Sequence, residues 1–383
     1  MIIFICMSFS KKQRLYSLEA IRCLAFLGVF LSHSEITSKL FAGTGAWGVS
    51  VFLVLSGFLI AYNHYGSNEF VDYKFIDCLK FTFKKIKKLY PLVIITTLLM
   101  IPFNFMYYDR FQCVFVGFKT ILNMLMIQEW FPFVKRSVNG VSWYMCVTFF
   151  SYIITPYIIN RLNKRNNIKG NFYNILVLFI IQIVLSYLGS FLPTPYEHII
   201  FEYDEYSWFI YKFPLTRIID FIIGCNLGVI FLNKKDVNVL RCNIFEILAL
   251  TMSFILSIFH GSMRFTTIFN GYELYLQKEF WYGPSVIFTI NTCLLIYYFA
   301  IGKGFLSKLL TNKVTLFIAK LSPYAFLIHW VVIKYIGFFV NSILKNEFLS
   351  FHAYALNLTI GFILTIILSC LYQRLYKRIT NKS

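Results

Sequence analysis

The sequence predicts an all-α, polytopic integral-membrane bundle of about ten transmembrane helices, and three observations carry that prediction. Of 383 residues, 58% are hydrophobic and 20% aromatic, with a mean hydropathy of +0.67; a soluble domain of this length is far less apolar. Apolar runs of roughly 20 residues, the length that crosses a bilayer, recur from end to end. The Lys and Arg residues behind the net charge of +19 sit in short clusters between those runs. That distribution sets membrane topology and is not the basic stripe of a nucleic-acid binder. Membrane lipid is therefore the expected surrounding, and nucleic acid is excluded as a partner.

Taken in order, spans are expected near 15–37, 46–64, 88–107, 139–161, 171–192, 211–232, 243–260, 281–301, 314–340 and 353–376. A further apolar stretch at 111–127 is interrupted by Gly117, Lys119 and Asn123 and stays outside the count. The apolar Met1–Cys6 precedes the basic Lys11-Lys12-Gln13-Arg14, the reverse of a secretory signal. If the N-terminus is cytosolic, every cytosolic tail and loop holds at least three Lys or Arg, and only one outer loop exceeds two. The positive-inside rule then places both termini in the cytosol. Residues 1–383 read as one membrane-embedded domain with no fused soluble domain. The nine Cys lie mostly within apolar runs, without metal-ligand or disulfide spacing, so no metal is expected.

Charged residues inside spans are expensive and usually mark a site. The first span holds Glu19, Arg22 and His33. Arg22 and His33 are eleven residues apart, roughly 16 Å along a helix and on nearly one face. A fixed cation thus sits at one depth and a titratable imidazole at another. Arg22 is also spaced to pair with Glu19 on its own helix. The alternation of spans puts His33, His329, Ser142, Trp143, Arg217 and Asp220 in the outer half of the bundle, with Arg22 toward the cytosol. The outer loop at 193–211 gathers acidic and aromatic residues, as a solvated loop over an aromatic belt does.

Leu18-Glu19-Ala20-Ile21-Arg22 through His33, followed by Gly48-Val49-Ser50-Val51-Phe52 and Ser56-Gly57-Phe58, resembles the start of acyltransferase family 3. These are integral-membrane acyltransferases, many of which O-acetylate bacterial surface polysaccharides. The resemblance continues through Lys84–Pro91, Ser142-Trp143, Tyr152 to Pro156, Arg217 to Gly224, and Ser322-Pro323-Tyr324 to His329-Trp330. It implies acetyl-CoA as cytosolic acyl donor and a glycan or lipid-linked saccharide as acceptor. His33 becomes the catalytic residue and Arg22 the cofactor-binding one. Ser142, Trp143, Arg217 and His329 would position substrate or stabilise the transition state.

One departure stands out. The family often carries Glu five residues after the Trp of its Ser-Trp motif, where this chain has Thr148. Glu19, Glu35 and Asp220 are the acidic residues left to partner the machinery. A glycan or lipid transporter, or a polysaccharide polymerase, is the rival reading. Neither requires the Arg-to-His spacing.

Overall fold

The computed structural model describes residues 13–34, 38–106, 113–132, 137–165, 167–192, 208–233, 236–269, 283–343 and 350–380. Every regular element among them is helical. Glu35, the apolar N-terminal stretch and most of the 193–211 loop lie outside the described residues.

The chain runs through α1 (Tyr16–His33), α2 (Ser38–His64), α3 (Phe75–Ile86), α4 (Tyr90–Met106) and α5 (Cys113–Met124). It continues through α6 (Trp143–Ile153), α7 (Thr155–Arg165), α8 (Ile168–Gly189) and α9 (Pro214–Leu232). Then follow α10 (Val239–Phe269), α11 (Pro284–Ile301), α12 (Phe305–Leu310), α13 (Lys313–Ile343) and α14 (Ser350–Thr380).

The number of spans differs from the expected ten. Among the described residues, six helices are long and apolar enough to cross a membrane, or eight if two bent pairs each count as one span. The six are Gly43–His64, Ile168–Gly189, Trp208–Leu232, Val239–His260, Lys313–Val340 and Leu358–Thr380. The expected spans at 88–107 and 139–161 belong to the bent pairs: α3 meets α4 at 67°, and α6 meets α7 at 47°. In both, a proline stands in the first turn of the second helix, Pro91 in α4 and Pro156 in α7. Proline suits a helix start but pushes the preceding residue out of helical geometry, so the axis breaks there. The first span is lowered by Glu19, Arg22 and His33. The eighth shortens to the apolar Ser285–Ile301.

Burial separates core from periphery. Some 78% of the apolar stretch is buried in α2 and in α9, against 22% in α8, 28% in α10 and 17% in α14. The last three turn their apolar sides outward, as lipid-facing helices do. Glycines make the central crossing possible: a Cβ on Gly57 of α2 would fall 1.9 Å from the Phe221 carbonyl of α9. The reciprocal Cβ on Gly224 would fall 2.0 Å from the Val54 carbonyl. No side chain fits at either place, so Gly57 serves helix packing. α1 lies against α2 and α13, and α14 forms an antiparallel pair with α13.

Candidate active site

The first helix presents its two polar groups as its spacing requires. At the Arg22 level, Arg22 Nη1 lies 2.7 Å from Glu19 Oε2, and Arg14 reaches the other Glu19 oxygen at 3.2 Å. Arg22 keeps 25% of its side-chain surface exposed, so its guanidinium is accessible while paired.

At the far end of α1, His33 Nδ1 lies 2.9 Å from Nε2 of His329 on α13. The two rings stack at 5.2 Å between centroids and 25° between planes. Trp330 stands edge-on to His33 at 5.0 Å, and the Lys334 ammonium lies over the Trp330 ring at 4.9 Å. Phe26, Phe30 and Phe326 wall in the fully buried His329. Its Nδ1 lies 3.1 Å from the Ala325 carbonyl one turn earlier.

That last contact fixes the proton positions. A carbonyl only accepts, so His329 Nδ1 carries the hydrogen, and in the neutral ring Nε2 holds the lone pair. His33 Nδ1 must then donate to it, which leaves the lone pair of neutral His33 on Nε2. The buried imidazole thus sets the tautomer of the half-exposed one.

The loop before Ser142-Trp143 reaches the same corner through Asn139 and Gly140. Asn139 Nδ2 donates to the Leu327 carbonyl at 3.2 Å. Gly140 lies so close to Trp330 that an added Cβ would meet its ring at 2.7 Å. Ser142 itself is fully buried, with Oγ 2.7 Å from both Asn123 Oδ1 and the Asn139 carbonyl. Its hydroxyl is engaged within the loop. Trp143 packs on Tyr211 at 4.8 Å.

Arg217 and Asp220 sit elsewhere, in a node where α2, α8, α9 and α11 join. Arg217 Nη1 pairs with Asp220 Oδ2 at 3.2 Å, and both side chains are fully buried. Gln182 and Thr289 donate to Asp220 Oδ1 at 2.6 and 2.8 Å, and Ser285 donates to Oδ2 at 3.1 Å. Ser50 contacts Arg217 Nη2 at 3.4 Å. The connection toward Trp143 is aromatic: Arg217 lies over Tyr211 at 5.7 Å.

Sequence reasoning missed the polar shelf beneath the Ser-Trp loop. Asn123 also bonds Thr97 and the Val138 amide. Gln128 donates to the Ser142 carbonyl at 3.1 Å. Glu129, 3% exposed, accepts from Ser137 Oγ at 2.6 Å. Burial pushes the Glu129 carboxyl above its ordinary range, against the opposing pull of Lys212, the Ser137 hydroxyl and Lys119. The available signal was Asn123 itself, a polar interruption in an otherwise apolar stretch.

A family model described as an acyltransferase domain matches residues 15–374. O-acetyltransferase OatA of Staphylococcus aureus strain NCTC 8325 / PS 47 is 20% identical over 350 residues, 86% of this chain and 53% of that protein. OatA of strain COL gives the same figures. The chain thus spans about half the length of these relatives. No solved structure matches it. With the match running from the start of α1 into α14, the chain belongs to acyltransferase family 3.

Proposed function

We propose that this membrane acyltransferase moves an acetyl or other short acyl group from acyl-CoA to a hydroxyl of a surface glycan or lipid-linked saccharide. The observation that carries the proposal is the His33–His329 contact, because it aims a defined lone pair from a half-exposed ring. Family membership and the likeness to an O-acetyltransferase support the reaction class. Acetyl-CoA is the proposed donor, reaching the protein from the cytosolic side of an inner membrane in which both termini face the cytosol.

In this mechanism His33 Nε2 takes the proton of the attacking hydroxyl as its oxygen bonds to the thioester carbonyl carbon. The tetrahedral intermediate collapses by breaking the carbon–sulfur bond. The leaving thiolate takes the proton back from the imidazolium, which returns His33 to its starting state. His329 holds the ring by accepting from Nδ1 throughout. Arg22 binds a phosphate or the pantetheine arm of the donor, a charge-assisted contact suited to its planar fork. The roughly 16 Å from Arg22 to His33 along the helix is spanned by that extended arm. Arg217 and Asp220 hold the frame to which Tyr211 and Trp143 are fixed, and Ser142 holds the loop against Trp330.

A transporter or polymerase would use the same polar residues without making an ester. Purified protein incubated with acetyl-labelled acetyl-CoA and a lipid-linked saccharide extract separates the possibilities. The expected result is alkali-labile label on the saccharide and free CoA in equal amount. Undiminished acetyl-CoA, together with movement of saccharide across a vesicle membrane, would overturn the proposal.

A further inference from the structure

A second site lies between α13 and α14, at the bundle end that carries the start of α1. Phe317, Lys320 and Leu321 of α13 face Gln373, Arg374 and Lys377 of α14 across a cavity of about 250 Å³. The helical period explains this grouping. Residues 373, 374 and 377 fall in one stripe of α14, and 317, 320 and 321 in one stripe of α13. Three cations therefore converge, and no carboxylate is among the lining residues. None of the three pairs with a carboxylate among the described residues.

Depth and surroundings identify the ligand. Lys320 is seven residues from the start of α13 and Arg374 six from the end of α14, roughly 10 Å from either helix end. Both helices are among the candidate membrane spans, Lys313–Val340 and Leu358–Thr380, and the three cations lie toward one end of each. The cavity opens beside side chains that project outward: Phe317 is 49% exposed, Leu371 47% and Leu375 55%. Acyl chains match such a rim; a nucleotide does not. The end of α14 is also bound to the basic segment before α4, where Tyr372 and Tyr376 donate to the carbonyls of Lys88 and Lys87. The local field thus favours a negative ligand beyond the three lining charges.

We propose that this cavity binds the phosphate of an anionic phospholipid, with the acyl chains lying along the exposed side chains of α13 and α14. Lys320, Arg374 and Lys377 hold the phosphate as Arg and Lys clusters at membrane surfaces do. The site is independent of the acyl-transfer proposal, since it shares no residue with it.

The test uses the full chain purified in detergent. Its thermal midpoint is followed as phosphatidylglycerol or phosphatidylcholine is added, and bound lipid is counted by native mass spectrometry. The expected result is a midpoint rise of about 2 °C or more with phosphatidylglycerol only, as binding to the folded state stabilises it. Lys320→Gln/Arg374→Gln/Lys377→Gln should lose that rise and the bound phosphatidylglycerol. The charge-keeping Lys320→Arg/Arg374→Lys/Lys377→Arg should retain both. If the triple Gln variant fails to fold, each single Gln variant should bind several-fold less lipid. Equal responses of wild type and Gln variants would overturn the site. Displacement of phosphatidylglycerol by CoA would instead assign the cavity to the donor's phosphates.

Discussion

Two polar contacts inside this bundle, Arg217–Asp220 and His33–His329, differ in how they are enclosed. At the Arg217–Asp220 node, three donors besides the arginine face Asp220, Ser50 accepts from Arg217, and neither side chain has any exposed surface. At His33–His329, one ring is fully buried and bonded to its own helix while the other remains half-exposed. The first is sealed from the surface, and in the second the buried ring sets the tautomer of a partly exposed one. A polar group among apolar helices is thus a joint or a site according to whether it is sealed inside the protein or reaches a partly exposed surface.

The largest expected effect comes from breaking the joint. Asp220→Ala leaves Arg217 charged and unpaired, at a cost of about 3–5 kcal/mol. Recovery of folded protein from membranes should fall sharply, and Arg217→Met/Asp220→Leu should restore much of it. Normal folding of Asp220→Ala with lost transfer would move this pair into the site.

His329→Ala should act in the opposite way, leaving the thermal midpoint nearly unchanged and lowering transfer about 10–100-fold, a fraction of what a general base supplies. His329→Gln keeps an acceptor for His33 Nδ1 and should recover part of the rate. The pH profile of the Ala variant should shift as well, because His33 loses the group that fixes its tautomer. An unchanged profile and rate would leave His329 as packing alone.

A smaller effect is expected at Glu129, in the polar shelf beneath the Ser-Trp loop. Its carboxyl titrates above the ordinary value of 4.5 in the folded protein. The native state therefore holds this proton more tightly than the unfolded chain, and its contribution to stability falls as pH rises above about 4.5. Glu129→Gln removes that slope, so the variant should lose less thermal stability than wild type between pH 5 and 8. A variant less stable at every pH would show that the ionised carboxylate is needed against Lys212 and Lys119.

How much of this was legible follows the range of each interaction. The six long spans could be read because about 20 apolar residues in a row have few other uses. The Glu19–Arg22 pair was readable at three-residue spacing, as was Arg217–Asp220 in retrospect. The two bends were signalled by Pro91 and Pro156, yet length alone concealed them. Gln182, Ser285 and Thr289 could not be assigned to Asp220, since nothing local in α8 or α11 records their partner. Glu129 was hidden for a different reason. Between two apolar stretches a Glu reads as loop, and only the fold shows that Trp208 and Ser137 cover it. The His33–His329 contact joins residues 296 apart, so the sequence supplied both rings and their depth but not their touching nitrogens.

The distinction between joint and site rests most directly on His33. Donor binding and acyl transfer should be measured together on purified His33→Ala and Arg22→Ala, with acetyl-CoA as the donor. His33→Ala is expected to bind acetyl-CoA nearly as wild type does and to transfer no measurable acetyl. Arg22→Ala should bind it roughly ten- to a hundred-fold more weakly, the value of a charge-assisted contact of about 1.5–3 kcal/mol. Continued transfer by His33→Ala at the wild-type rate would contradict the assignment of the lone pair on His33 as the base.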